Sequence, residues 1–537
     1  MAASAAPPHQ SASLFFDSAR ACKEWVKTLP QTNVAQAQQK IVDALRNLNS
    51  SGDIVPLERL TCMELLRAKV AQLLATQRAR FAGKTIPLPH GDAAAWKISG
   101  SVVAEMEAGY RRCWVDAEAA EAPLSAHAAL IIQRTLRYLG LQMLVAGFVH
   151  RAFDGVLWRR LHQQWLEAEA RHLTTKRVKD SIGAIDGYST IERAYTDVLL
   201  WQAANVYALS SRQIDFVDAV LRRFGHKVSV DSEFLANPAE PVLSVDVLMP
   251  CGASFEPVKA ATGNMRALDV AALAKSLKRR IQKLARGEDP VMLDLPAEWS
   301  IAEASQLLAR LYKLWCEGAP EGARSTRPRA KEAILAFGIA DTHFFVSGNP
   351  FVQPGVSNQL TRKEMADIEL FGKVSEATIR ARYAEFNYGT ETWSLVAGYA
   401  DGLRLQRPSS SAQALAIGKL VSVKLSKDDA FHLFVISELM EDLADNIEVT
   451  LAKLPGKPEA IAVRAAESRG RMPNYVQGFR LPPDDPSGSA ETLVVPAKLV
   501  QQGRGIDIFH RAHGTPKEVT ALEFIERGGD FDRLTIR

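Results

Sequence analysis

The sequence predicts a multidomain α+β protein with an N-terminal all-helical region, a middle α+β segment and a C-terminal β-barrel. Three observations carry this. From residue 14 to about 226, apolar residues recur at spacings of three and four, the period of a helix with one buried face. At about Lys227 the pattern becomes a mixture of short strand-like runs and amphipathic helices. From Glu391 onward, short runs alternate apolar and polar residues at period two between turn residues, the pattern of a β-meander. With 537 residues the chain has room for two to four domains. The expected division is a disordered tail over 1–13, a helical domain over 14–226, an α+β domain over 227–350, a linker over 351–377 and a barrel domain over 378–537.

The tail, MAASAAPPHQSAS, lacks the basic-then-apolar order of a secretory signal. A short helix over 14–30 ends at Pro30. Asn33 caps a second helix with Val34, Ile41, Leu45 and Leu48 on one face, and Pro56 opens a third. Further helices are expected over 101–118, 125–149 and 156–174. Ser189-Thr-Ile-Glu192 reads as a capping box opening a helix to about Leu209. Ser210-Ser-Arg-Gln213 repeats that signal for a helix ending at Gly225. The apolar stretch Ala128 to Phe148 holds Arg134 and Arg137, which would each cost about 2.5–3.5 kcal/mol in lipid. It is therefore expected as a buried core helix, and no membrane span is expected. Helical stacks without a catalytic cluster usually offer a partner surface, so an unidentified protein partner is expected there.

In the middle segment, 228–230, 243–248, 333–339 and 342–346 read as strands. Asp269 caps a helix with Val270, Leu273, Leu277, Ile281 and Leu284 on one stripe. Its opposite face, Lys275, Lys278, Arg279, Lys283 and Arg286, reads as a solvated basic face. The formal charge is only +4, far from that of a dedicated nucleic-acid binder, so nucleic acid is not the expected partner. The five cysteines are odd in number and without CxxC spacing, which indicates neither a zinc site nor a disulfide framework and fits a reducing cytoplasm.

The stretch Glu391 to Arg407 reads as two strands joined at Asp401-Gly402, a turn signal because glycine tolerates positive φ. Strands follow at 418–424, 431–436 and 446–451, a loop-rich stretch at 470–488, and more strands at 491–495, 505–510, 518–524 and 532–536. The last four are expected to extend or close a barrel, with Phe524, Phe531, Leu534 and Ile536 buried.

This order of pieces resembles a PilZ domain, the small β-barrel that binds cyclic di-GMP in bacteria. The family's Asp/Asn-x-Ser-x-x-Gly motif falls on Ala397 to Gly402, where Gly402 matches and Ala397 and Tyr399 stand for the acid and the serine. Gly418 to Val423 is similar to the family's following strand. The resemblance implies an Arg-x-x-x-Arg hinge before the barrel. The Arg-x-x-x-Arg of this chain is Arg533 to Arg537, on the far side of the turn. The nearest substitutes are Arg327-Pro-Arg329-Ala-Lys331 and Arg380-Ala-Arg382. Guanidinium groups fork onto phosphate oxygens or guanine edges. Ligand-binding residues are accordingly expected at Arg327, Arg329, Lys331, Asp401, Gly402 and Arg404, with Arg407 also after the turn.

No nucleophile elbow, HExxH, Walker loop or GxGxxG is present. His343, near Asp341, reads as a structural histidine. The expected function is that of a cytoplasmic bacterial signalling protein, not an enzyme, without cofactor or metal, that binds cyclic di-GMP and relays this to a protein partner through the helical region. The alternative is a ligand-independent protein-interaction scaffold with a degenerate barrel.

Overall fold

The computed structural model describes residues 15–119, 124–232, 242–255, 263–318, 331–354, 362–372, 375, 378, 388–407, 413–425, 430–466, 474–483, 491–510 and 514–537. The expected disordered tail lies outside them. The chain divides into two units, Met1–Pro320 and Glu321–Arg537.

The first unit opens with six helices: α1 (Ala19–Lys27), α2 (Val34–Ser50), α3 (Pro56–Arg78), α4 (His90–Ala119), α5 (Ala128–Gly147) and α6 (Gly155–Ala170). Capping follows the sequence closely. Asn33 Oδ1 accepts from the Gln36 amide at 3.0 Å, and Pro56 is the first residue of α3. A two-residue ladder, β1 (Val178–Lys179) with β2 (Tyr188–Ser189), interrupts the helices, so the region is not purely helical. Because Ser189 belongs to that ladder, the expected capping box shifts by one residue. Thr190 Oγ1 caps α7 (Ile191–Ala203) by accepting from the Arg193 amide, and Glu192 instead accepts from the Val230 amide at 2.9 Å. Nearly every side chain of α7 is buried, as suits a helix packed on all sides. Then come α8 (Ser211–Phe224), whose Ser210/Gln213 capping box is present as expected, and a three-stranded sheet in the order β3 (Ser229–Asp231), β5 (Met265–Asp269), β4 (Ser244–Asp246). The helices α9 (Ala271–Ala285) and α10 (Ile301–Tyr312) close the unit. On α9, Leu273, Leu277 and Leu284 are buried while Lys275, Lys278, Arg279 and Arg286 are exposed, the division its periodicity predicts. Among the described residues no helix is long and apolar enough to cross a membrane.

The second unit starts with β6 (Glu332–Phe337), α11 (Gly338–Ser347) and α12 (Arg362–Phe371). Two expectations change here. Residues 342–346 are helical rather than extended, since α11 leaves β6 at Gly338, which has φ +77°, a conformation that glycine adopts without strain. In addition, β6, expected inside the 227–350 segment, pairs with two strands further along the chain and belongs with the barrel.

Those strands are β7 (Glu391–Tyr399), β8 (Gly402–Arg407), β9 (Leu420–Leu425), β10 (His432–Glu441) and β11 (Ile447–Lys453). With β6 they form a closed antiparallel barrel in the order β10-β11-β8-β7-β6-β9. A second closed barrel follows, β12 (Glu459–Ala465), β13 (Val476–Leu481), β14 (Thr492–Pro496), β15 (Gly505–Phe509), β16 (Pro516–Arg527) and β17 (Phe531–Ile536), in the order β12-β13-β14-β17-β16-β15. The strand β13 falls in the stretch expected to be loop. Phe531 and Leu534 are fully buried, as expected, whereas Phe524 and Ile536 are only partly buried.

The two barrels share a core. Leu420, Leu433, Val435 and Leu454 of the first pack with Phe479, Leu481, Val494 and Phe531 of the second, and with Ile339 and Val346 of α11. Backbone bonds stitch the seam: the Gly529 amide donates to the Gly418 carbonyl at 2.7 Å, and the Leu420 amide to Asp530 at 2.9 Å. His343 lies in this seam. Its Nε2 is 3.2 Å from the Ile461 carbonyl, its ring packs on Phe351 and Phe479, and burial pushes its imidazole down to about 4. It is the structural histidine that its apolar setting predicted.

Candidate functional site

Of the expected ligand residues that the structure describes, Gly402 and Arg404 lie on β8 of the first barrel, Asp401 in the turn before it and Lys331 just before β6. Arg327 and Arg329 lie outside the described residues, as do Arg380 and Arg382. Lys331 is exposed at the entry to β6, and its carbonyl accepts from the Leu395 amide at 2.9 Å. That register leaves roughly 13 Å of β7, from Leu395 to Tyr399, between Lys331 and the β7–β8 turn. The structure thus places Gly402 and Arg404 on β8 and Asp401 in the turn before it, with Lys331 at the start of β6, one strand further away across β7, and forms no compact cluster of the four.

Asp401 is exposed in the turn, and its carbonyl accepts from the Lys453 amide at 2.8 Å. Gly402 is a glycine for a different reason than the turn rule supplies. Its φ is not positive; instead a Cβ there would lie 2.4 Å from the Leu451 carbonyl oxygen, on the strand paired with it. Arg404 projects from β8 into an acidic group. Its Nε lies 3.2 Å from Glu448 and its Nη2 3.8 Å from Glu438, while Glu438 also accepts from the Thr450 hydroxyl at 2.8 Å.

Arg407 turns the other way. Its side chain is 1% exposed, stacks on Trp393 at 5.2 Å, and donates to Glu391 and to the Gln413 carbonyl. Burial pushes its guanidinium down against the pull of Glu391. The Arg407 guanidinium is buried and held by Trp393, Glu391 and Gln413. Arg533 lies on β17 in the second barrel, where its Nε donates to Thr492 at 3.3 Å, and Arg537 is one residue past the end of that strand.

A second charged constellation sits in the helical unit, and local sequence pattern did not reveal it. Arg134 of α5 donates to Glu64 of α3 at 2.9 and 3.1 Å, and Arg67 donates to Asp180 at 2.7 Å. Gln133 also donates to Asp180, at 3.2 Å, and the Tyr110 hydroxyl donates to Glu64 at 2.5 Å. Burial alone would raise the Asp180 carboxyl, but Arg134, Arg137 and Arg67 outweigh it and hold the group well below its ordinary range. The residues are spread from 64 to 180, so no motif announces them. The one signal was Arg134 inside an otherwise apolar helix, which required an acid partner. No group of His, Cys, Asp and Glu among the described residues is placed to hold a metal ion.

Residues 20–234 match the model of a protein family described as the N-terminal domain of the cyclic-di-GMP receptor FimW. The description of that family is one of a receptor. No curated protein matches the chain. Among solved structures, MrkH, described as a novel c-di-GMP dependence transcription regulatory factor, is 13% identical over 30% of this chain and 83% of its own, with a TM-score of 0.13. A likeness that slight carries nothing about the fold.

Proposed function

We propose that the protein is a cytoplasmic receptor for cyclic di-GMP that relays binding to a protein partner through its helical unit. The match of residues 20–234 to the N-terminal domain of a cyclic-di-GMP receptor carries this reading. The PilZ resemblance of the first barrel supports it and supplies the ligand residues: Arg327, Arg329 and Lys331 before β6, with Asp401, Gly402 and Arg404 at the β7–β8 turn. A bound phosphate would compete with Glu448 and Glu438 for the Arg404 guanidinium, so ligand binding and release of an acidic partner are coupled at that residue. The relay follows if the ligand binds one arrangement of the chain more tightly than another.

The test is calorimetric titration of cyclic di-GMP into the full-length protein, with ATP as control. Saturable heat, weakened by Arg327→Ala and by Arg404→Ala, is the expected result. No heat from a folded protein overturns the reading. The pairing of Arg404 with two carboxylates favours a second reading, a scaffold whose barrel binds no nucleotide. It predicts thermal stability unchanged by cyclic di-GMP.

A further inference from the structure

Helix α9 carries its charge unlike α4, α6 and α8. On those three, exposed arginines sit four residues from a carboxylate of the same helix: Arg111 from Glu107 at 3.1 Å, Arg112 from Asp116 at 3.0 Å, Arg171 from Glu167, and Arg222 from Asp218 at 2.8 Å. Such pairs stabilise a solvated helix face. Between Val270 and Gly287 there are six cations and no Asp or Glu. Like charges therefore fall three and four residues apart, as at Lys275, Lys278 and Arg279, where they oppose helix formation.

Two of the six cations find partners outside the helix. Lys283 reaches Glu288 at 2.8 Å, and Arg280 donates to the Leu293 carbonyl at 2.8 Å and lies 3.4 Å from Asp294. The other four, Lys275, Lys278, Arg279 and Arg286, are without an ion pair to any described residue, and all four are exposed. At 3.6 residues per turn they lie within an arc of about 100° and along roughly 16 Å of helix. The negative end of the helix suits Arg286. It does not account for Lys275 and Lys278, which stand about two turns or more before that end.

An apolar tip stands at the edge of this stripe. Pro290–Leu293 form one turn of 3-10 helix in which Pro290 and Leu293 are buried and Val291 and Met292 are exposed. Asp289 caps the turn by accepting from the Val291 amide at 2.8 Å, and Arg280, next to Arg279, fastens it to α9 through the Leu293 carbonyl. Met292 is 79% exposed, the most of any large apolar side chain among the described residues, and Val291 is 54% exposed. Single apolar side chains at a surface are ordinary. Two adjoining ones on a capped turn, beside four unpaired cations, suit a partner that offers negative charge with an apolar layer beneath it. A bilayer with anionic headgroups offers both. A nucleic-acid backbone offers the charge and leaves Val291 and Met292 in water.

We infer that the α9 stripe and the Val291/Met292 tip form a docking surface for an anionic lipid bilayer, with Lys275, Lys278, Arg279 and Arg286 on the headgroups and the tip entering the interface. Attraction of basic residues to the surface and burial of apolar side chains add to each other in such attachment. The attachment is reversible and salt-sensitive, because exposed charges carry most of it. The inference does not depend on the barrel binding cyclic di-GMP.

The experiment is co-sedimentation of the full chain with vesicles of phosphatidylcholine alone and of phosphatidylcholine with about one-third phosphatidylglycerol, at low and at high salt. Attachment is expected to the mixed vesicles and not to the neutral ones, and it should fade at high salt, where the Debye length shortens. Lys275→Gln/Lys278→Gln changes two exposed side chains and removes like-charge repulsion, so the fold is kept. It should weaken attachment more than tenfold, about fivefold for each charge. Met292→Ser should weaken it about fivefold or more and leave the salt dependence unchanged. Arg404→Ala, in the barrel, should leave attachment as it is. Equal attachment to neutral vesicles overturns the inference, and so does attachment indifferent to Lys275→Gln/Lys278→Gln or to Met292→Ser. Random-sequence duplex DNA is the comparison partner. Retention of DNA without attachment to the mixed vesicles also overturns the inference and makes the stripe a nucleic-acid surface.

Discussion

Inside Met1–Pro320, Arg59, Arg67, Glu107, Arg134, Asp180, Arg193 and Asp197 are all at 7% exposure or less. Inside Glu321–Arg537, the charged side chains buried to that degree among the described residues are Arg407 and Asp532, with His343 held neutral. The difference follows from how each architecture satisfies its backbone. Strand ladders in a closed barrel pair every N–H and C=O with a neighbour, and alternation sends polar side chains outward. Helices of unequal length joined by long loops leave carbonyls at their ends and in loops. Arginines bind several of these: Arg59 donates to the carbonyls of Leu48 and Ser51, Arg134 to that of Lys179, and Arg193 to that of Arg222. The helical unit therefore depends on completed ion pairs, and the barrel unit on filled volume.

Removing one member of a buried ion network leaves its partners charged and desolvated. Asp180→Ala removes one of the two carboxylates that Arg67 and Arg134 share and leaves both on Glu64, so it should destabilise the helical unit by about 3 kcal/mol in denaturant unfolding, the low end for a broken buried pair. A loss no greater than that of a surface change would break the comparison at its strongest point. The barrel counterpart is Leu420→Ala, which opens a cavity in the core shared by the two barrels. The expected loss is about 3 kcal/mol, with the remaining contacts unchanged.

Acid separates the two kinds of interior further. His343 has a folded value of about 4, below the roughly 6.5 of the unfolded chain. Between these values the unfolded state binds the extra proton, so stability falls as pH drops from 6.5 to about 4 and this contribution is flat below. The shift corresponds to about 3 kcal/mol. His343→Gln should flatten that limb of a stability–pH curve. In the helical unit Asp180 and Glu64 are both held below their ordinary values, against burial, chiefly by Arg134 and its neighbours. Their contribution is present above the unfolded carboxylate range, near 4, and is lost as pH falls beneath it. Urea unfolding at several pH values, with and without His343→Gln, checks both windows.

Local pattern made the elements legible and left their partners obscure. Asn33, Pro56 and Ser210 marked helix starts because a cap acts within one turn of chain. The α9 stripe was readable for the same reason. Strand β6 was misplaced because pairing partners more than fifty residues away decide which sheet a strand joins, and no local signal records that. Residues 342–346 read as a strand because a short apolar run looks alike in a buried strand and a buried helix. The second barrel was visible as strands but not as a closed body. Of the expected site, the sequence placed Asp401, Gly402 and Arg404 together at one strand–turn–strand and left Lys331 in the preceding 227–350 segment, since the pairing of β6 with β7 leaves no local trace. It could not show that Glu438 and Glu448 surround Arg404, or that Arg407 is buried beside Trp393.

The smallest expected effect is the most discriminating for the barrel. Arg404 is half-buried and its pairs with Glu448 and Glu438 lie at the edge of solvent, so Arg404→Ala should change stability by only about 1 kcal/mol, the upper end for such pairs. If the side chain serves only those carboxylates, nothing else changes. If it is shared with a ligand, the variant keeps its melting temperature in buffer but loses most of the rise that cyclic di-GMP gives the wild type, because stabilisation by a ligand scales with its affinity for the folded state. Arg404→Lys sharpens the test. A lysine preserves the charge beside Glu438 and Glu448 but has no planar fork, so it should restore the ion pairs and not the ligand response. A thermal-shift series of wild type, Arg404→Ala and Arg404→Lys against rising cyclic di-GMP therefore separates a surface ion pair from a ligand contact at one residue.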